Sequence, residues 1–99
     1  MFSKRMTLSS AAAFCHRFGT GLKAGADLLR LLGSEASQGP PSQRHAMRML
    51  SEGAKRGEQL STVMEEQKSF FPPLMTAMTR VGEATGRLER VLLTLAEHY

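Results

Sequence analysis

The chain has one cysteine, Cys15, no tryptophan, and a single tyrosine, Tyr99. One cysteine excludes an internal disulfide framework and a cysteine zinc cluster, and it suits a reducing compartment. Scarce aromatic side chains leave little on which nucleic-acid bases could stack. No window approaches the ~18 consecutive apolar residues of a membrane-spanning helix. The start Met1-Phe2-Ser3-Lys4-Arg5 is charged but lacks the apolar core of a signal peptide, since Ser9, Ser10, Cys15, His16 and Arg17 intervene. A cytoplasmic location is expected. Reactive constellations are missing too. Cys15 and His16 are adjacent and would point about 100° apart on a helix. His45 and His98 have no second ligand at the three-or-four spacing of a zinc site. Gly19-Thr20-Gly21 has neither the preceding strand nor the Gly-Lys-Ser/Thr ending of a phosphate loop.

What the sequence does contain is enough apolar material for one small core. Its 99 residues, 41% apolar and 22% charged, fit a single domain too small for a deep catalytic cleft. Residues 1–6 are expected to form a flexible head and residues 7–99 the domain. Thirteen Lys and Arg against nine Asp and Glu give a formal charge of +4. That charge is uneven: nine basic and three acidic side chains up to Arg56 give +6, and the remainder carries −2. The net charge attracts anionic surfaces, and the asymmetry is compatible with a homodimer.

Apolar periodicity predicts an all-α fold, a compact antiparallel bundle of about six short helices, with no competing strand signal. Thr7 is a candidate cap for a helix with Ala11, Phe14, Cys15, Phe18 and Leu22 on one face, with the poor helix formers Gly19 and Gly21 in its last turns and a break at Gly25. Asp27 suits the N-terminus of a second helix carrying Leu28, Leu29, Leu31 and Leu32. A loop from Ser34 to Pro41 follows. Ser42 is expected to cap a third helix with Ala46, Met47, Leu50 and Ala54 inside, Arg48 and Glu52 one turn apart outside, and Gly57 after its end. Ser61 is expected to cap a fourth, around Val63 and Met64. Pro73 opens a fifth, whose buried stripe reads Leu74, Met75, Met78 and Val81. The sixth runs from about Arg87 to Tyr99, with Leu88, Val91, Leu92, Leu95 and Ala96 on one side.

The methionines read first as core filling, and the basic set Arg44, Arg48, Lys55 and Arg56 as a solvated face. Glu83 stands apart because it lies between Gly82 and Gly86 at a helix junction, where close packing would bury it. A buried carboxylate needs partners. Those open to it are backbone amides at the start of the last helix, Arg80 or Arg87, a cation, or a neighbouring subunit; it is the lone candidate metal ligand. No cofactor is expected. A small basic helical domain that binds nucleic acid is the rival reading.

The motifs resemble the F domain of type II secretion and type IV pilus systems, the repeated cytoplasmic domain of their inner-membrane platform protein. Phe14, then Leu22-Lys23-Ala24-Gly25 and Leu28-Leu29-Arg30-Leu31-Leu32, is similar to the family's opening helix, its Leu-x-Ala-Gly turn and the leucines beyond. Gly57, Leu60 and Ser61 match its glycine, then Leu-Ser, step. The most specific run is Phe71-Pro72-Pro73-Leu74, Met78, then Val81-Gly82-Glu83-Ala84-Thr85-Gly86-Arg87-Leu88, closing with Leu92, Leu95, Ala96 and Tyr99. Ala26-Asp27 departs from the proline or branched apolar residue usual after the Ala-Gly. The resemblance implies a non-enzymatic module docking to the assembly ATPase and other inner-membrane secretion or pilus components, with no nucleic acid expected. It also implies a place on the cytoplasmic face of the bacterial inner membrane, with membrane association only through segments outside this chain. Family members continue into transmembrane helices and none follows Tyr99, so a piece of a longer protein and a free-standing copy are both open.

Overall fold

The computed structural model describes residues 5–99. Six helices run in order: α1 (Leu8–Lys23), α2 (Leu28–Glu35), α3 (Pro41–Lys55), α4 (Leu60–Glu66), α5 (Pro73–Thr85) and α6 (Leu88–His98). Among the described residues there is no strand. Each helix packs against its neighbours in the chain, and α6 returns to α1 along the most extensive seam of the fold. The six helices therefore close a ring. Its centre is filled by Phe14 and Phe18 of α1, Leu32 of α2, Met47 and Leu50 of α3, Val63 and Met64 of α4, Phe71, Met75 of α5, and Leu92 of α6. Phe14 and Phe18 stack with ring centroids 5.4 Å apart, while Phe70 and Phe71 meet edge to face.

Local chemistry sets the first two helix starts. The Thr7 hydroxyl accepts from the Ser10 amide at 3.0 Å, and the Asp27 carboxylate accepts from the Arg30 amide at 3.1 Å. Each satisfies one of the amides that a helix start leaves without an internal partner. The next two starts differ from the sequence expectation. Pro40 is the N-cap of α3, so Ser42 lies inside the helix; Gln59 precedes α4, so Ser61 lies inside it and is fully buried. Pro41 and Pro73 each open a helix, where a missing N–H costs nothing.

Helix α1 runs through Gly19 and Gly21 to Lys23, as its apolar spacing predicts. A Cβ on Gly19 would stand 3.0 Å from Cγ of Leu93 and 3.2 Å from Cβ of Leu92, so the missing side chain lets α6 approach the α1 backbone. Glu52, exposed on α3, reaches Lys55 at 3.6 Å. One further expectation, on α5, needs correction. Its buried residues are Met75, Thr76, Thr79 and Gly82, whereas Leu74 is 41% and Val81 48% exposed. The stripe read from periodicity exists, but it lies mostly on the outside.

The expected head of residues 1–6 lies outside the described residues over its first four positions. Its last two are held. The Arg5 guanidinium donates to the carbonyls of Phe71 at 2.9 Å and Lys68 at 3.1 Å, the Met6 amide donates to Phe70 O at 2.9 Å, and the Met6 side chain is buried.

Candidate functional site

The junction between α5 and α6 is built around two glycines. A Cβ on Gly82 would fall 2.9 Å from the Cα of Leu88, backbone that cannot swing aside. Gly86 closes α5 at φ 72, a left-handed conformation that glycine adopts without strain, and the amides of Gly86 and Arg87 both turn back to the Gly82 carbonyl. This tight turn fixes the next residue, Glu83, on the side of α5 that faces α4.

There Glu83 takes the place of the missing cap. Its Oε2 accepts from the Leu60 amide at 2.6 Å, and its Oε1 accepts from the Ser61 amide at 3.2 Å and the Ser61 hydroxyl at 2.6 Å. Gln59, at the N-cap, makes no side-chain cap bond. A carboxylate from a different helix thus satisfies the first amides of α4 and meets the positive end of its dipole. Backbone amides were among the expected partners of Glu83, but the helix is the fourth, not the last. Neither Arg80 nor Arg87 pairs with it. Among the described residues no three His, Cys, Asp or Glu side chains stand together as a metal site.

The other motif residues fall into place around this contact. Leu60, Phe71, Pro72 and Gly82 are buried; Phe14 and Leu92 belong to the central core; Leu22 and Leu88 pack at its edge. Gly25 and Gly57 occupy turns rather than the core. Tyr99 follows α6 and is half-buried. The structure thus joins the Leu60-Ser61 step to Glu83 directly, and Gly82 to Leu88, but among the described residues gathers no reactive cluster. His16, His45 and His98 lie exposed on three separate helices.

One pair escaped the sequence reading altogether. Arg17 on α1 reaches Glu35 at the end of α2 with two parallel hydrogen bonds, Nε to Oε2 at 2.8 Å and Nη2 to Oε1 at 2.7 Å. The Glu35 side chain is only 5% exposed. A carboxylate at a helix C-terminus meets the dipole with the wrong sign, so the guanidinium offsets both that and the burial. The hydrogen bond, ahead of plain charge attraction, holds Arg17 more firmly protonated against the opposing effect of partial burial. Eighteen residues separate the pair, and no local spacing rule reaches that far.

Cys15 is fully buried, and burial pushes its thiol up to about 12. Nearby Tyr99 is also raised, first by burial and then by Cys15, with the Met75 backbone opposing; its hydroxyl has no well-formed hydrogen bond. An acid raised in the folded state binds more protons than the unfolded chain once pH passes the unfolded value. Its contribution to stability is therefore full below about 9 and is lost as pH climbs toward about 12. The native protein is expected to resist iodoacetamide at pH 8 and to react once unfolded, with the melting temperature falling above pH 9. Rapid alkylation of the folded protein at pH 8 would contradict a buried, protonated Cys15.

On the basic face of α3, Arg44 donates to Gly39 O at 2.7 Å, Lys55 lies 3.6 Å from Glu52 and Arg56 holds Glu58 at 3.0 Å, while Lys55, Arg56 and Arg48 all stay exposed. A shallow groove of about 330 Å³ between α1 and α6 is lined by Lys23, Glu89, Arg90, Leu93, Thr94 and Glu97. Its mixed charges offer no convergent chemistry. No helix among the described residues is long and apolar enough to cross a membrane.

These features define an all-α domain whose polar side chains lock helices to one another. Residues 14–99 match the sequence model of the family described as type II secretion system (T2SS), protein F, and the chain belongs to that family. It is 31% identical over 100 residues to the type 4 fimbrial assembly protein PilC of Pseudomonas putida, covering all of this chain and 25% of that protein. It is 35% identical over 101 residues to the protein transport protein HofC homolog of Escherichia coli (strain K12), covering 94% of this chain and 25% of that protein. The chain thus spans about a quarter of the length of these relatives.

Proposed function

We propose that this domain is a non-catalytic docking module of an inner-membrane platform for type II secretion or type IV pilus assembly, binding the assembly ATPase and other platform components at the cytoplasmic face. The observation that carries the reading is the family match across residues 14–99, joined to relatives whose names speak of fimbrial assembly and protein transport. The geometry supports it physically. A closed ring of packed helices, tied by Glu83 and by the Arg17–Glu35 pair, deforms little and can pass on a displacement as a rigid body. With Lys55 and Arg56 of the α3 basic face each beside a carboxylate, and few aromatic side chains for stacking, little supports the nucleic-acid alternative.

Calorimetric titration of the domain with the assembly ATPase from the same organism tests the reading. Saturable binding is the expected result, with DNA affinity no greater than that of a charge-matched control protein. Absence of ATPase binding, also when the domain is presented within the full-length platform protein, would remove the ATPase from its partners.

A further inference from the structure

Among the described residues four large apolar side chains are substantially exposed: Leu8, Leu29, Leu74 and Val81. Leu8 and Leu29 stand alone on their helices, which is normal for a soluble surface. Leu74 and Val81 do not. They share one face of α5 with half-buried Met78 between them and with exposed Ala77 and Ala84. Leu74, Met78 and Val81 follow the four-then-three spacing of a helix-pairing seam, and the alanines would let a second helix come close. This face is separate from Met75, Thr76, Thr79 and Gly82, which already fill the domain interior. Met78 packs partly against the core, whereas Leu74 and Val81 on either side of it are left to solvent.

The charged side chain that α5 itself sets beside the free face is basic. Arg80 lies beside it and Arg87 follows the helix, both exposed and neither in an ion pair among the described residues. At the other end the exposed Arg5 sits on the carbonyls of Lys68 and Phe71, just before Pro73. The only carboxylate on α5 is Glu83, which is turned to α4 and engaged there. We propose that the Leu74–Met78–Val81 face of α5 docks an amphipathic helix from a protein partner, one whose apolar seam is flanked by acidic residues. A second copy of this chain fits less well, because α5 has no free carboxylate of its own to set against the Arg80 of another copy, Glu83 being engaged at α4. An anionic lipid surface matches the charge, but a narrow seam with alanine shoulders suits a helix better than an interface that rewards bulky aromatics.

This proposal rests on the docking reading and names a surface for it. The probes are two synthetic helical peptides with the same leucine seam, one flanked by glutamates and one by lysines, followed by amide chemical shifts and titration. The glutamate peptide should bind about tenfold or more tightly than the lysine peptide, weaken with salt, and shift signals along α5. Leu74→Glu with Val81→Glu should abolish that binding while melting temperature and helix content stay unchanged, since both side chains are exposed. Arg80→Glu with Arg87→Glu should reverse the preference between peptides. Equal binding of both peptides, no binding of the glutamate peptide, stronger binding to phosphatidylglycerol vesicles, or a dimer broken by the Leu74 and Val81 changes would each overturn the assignment. The two readings also fail separately. An ATPase that binds wild type and the Leu74/Val81 variant alike keeps the docking module and removes this surface; peptide binding without ATPase binding keeps the surface and removes that partner.

Discussion

Replacing Glu83 with alanine is expected to destabilise the domain by about 3 kcal/mol, because it strips two amides and a buried hydroxyl of their charged acceptor at once. In a domain of this size that lowers the melting temperature by roughly 15 °C. The loss is not confined to α5. Helix α4 has only seven residues and no side-chain cap of its own, so without Glu83 the amides of Leu60 and Ser61 have no acceptor. Hydrogen exchange should accordingly rise first at Leu60 and Ser61. Glu83→Gln keeps an oxygen acceptor but turns an amide donor toward other donors, and should lose about half as much. Ser61→Ala removes one of the three bonds, and the double variant should cost clearly less than the sum of the two single changes. A Glu83→Ala protein that melts within a few degrees of wild type would show that this contact contributes little.

The second large effect is expected at Arg17. Alanine there strands the Glu35 carboxylate, which is nearly inaccessible to water, at the unfavourable end of α2. Removing one partner of such a pair costs more than the pair contributes, and about 2–3 kcal/mol is expected at neutral pH, below the range for fully buried pairs because Arg17 is partly exposed. The decisive comparison is with Glu35→Gln. If stranded charge is the cause, Arg17→Ala should be much less damaging in a Glu35→Gln background, and a double-mutant cycle should return coupling of about 2 kcal/mol. Additive effects would assign the loss to the packing of the Arg17 alkyl chain instead.

The pattern of what could be read in the sequence follows the reach of each interaction. The Thr7 and Asp27 caps were legible because each bonds an amide three residues on. Pro73 and Gly86 were legible because they constrain their own backbone. Ser61 was misplaced as a cap for the opposite reason. Serine does cap helices, but here the capping oxygen comes from a residue 22 positions later, and Ser61 becomes a donor to it. Glu83 could be singled out by its flanking glycines, yet the helix it serves could not. Gly19 illustrates the same limit from the packing side. In isolation a glycine lowers helix propensity, and only the arrival of α6 more than 70 residues later turns its missing side chain into an advantage. On α5 the apolar spacing was read correctly as a stripe, but periodicity is silent on which of two apolar faces turns inward. The basic residues at Arg80 and Arg87 beside it distinguish the free face only after the fold has placed Glu83 elsewhere.

The ring of helices has a consequence for how the domain is assembled. Every pairing except α1 with α6 joins segments adjacent in the chain, so those seams can form with short loops to close. The single distant pairing is also the most extensive, and it gathers Gly19, Leu92 and Leu93 into one tight approach. Loop closure grows costly only slowly with length, and here nearly all of it falls on one event. That seam is a clasp: fastened, it gives an open string of helices an inside.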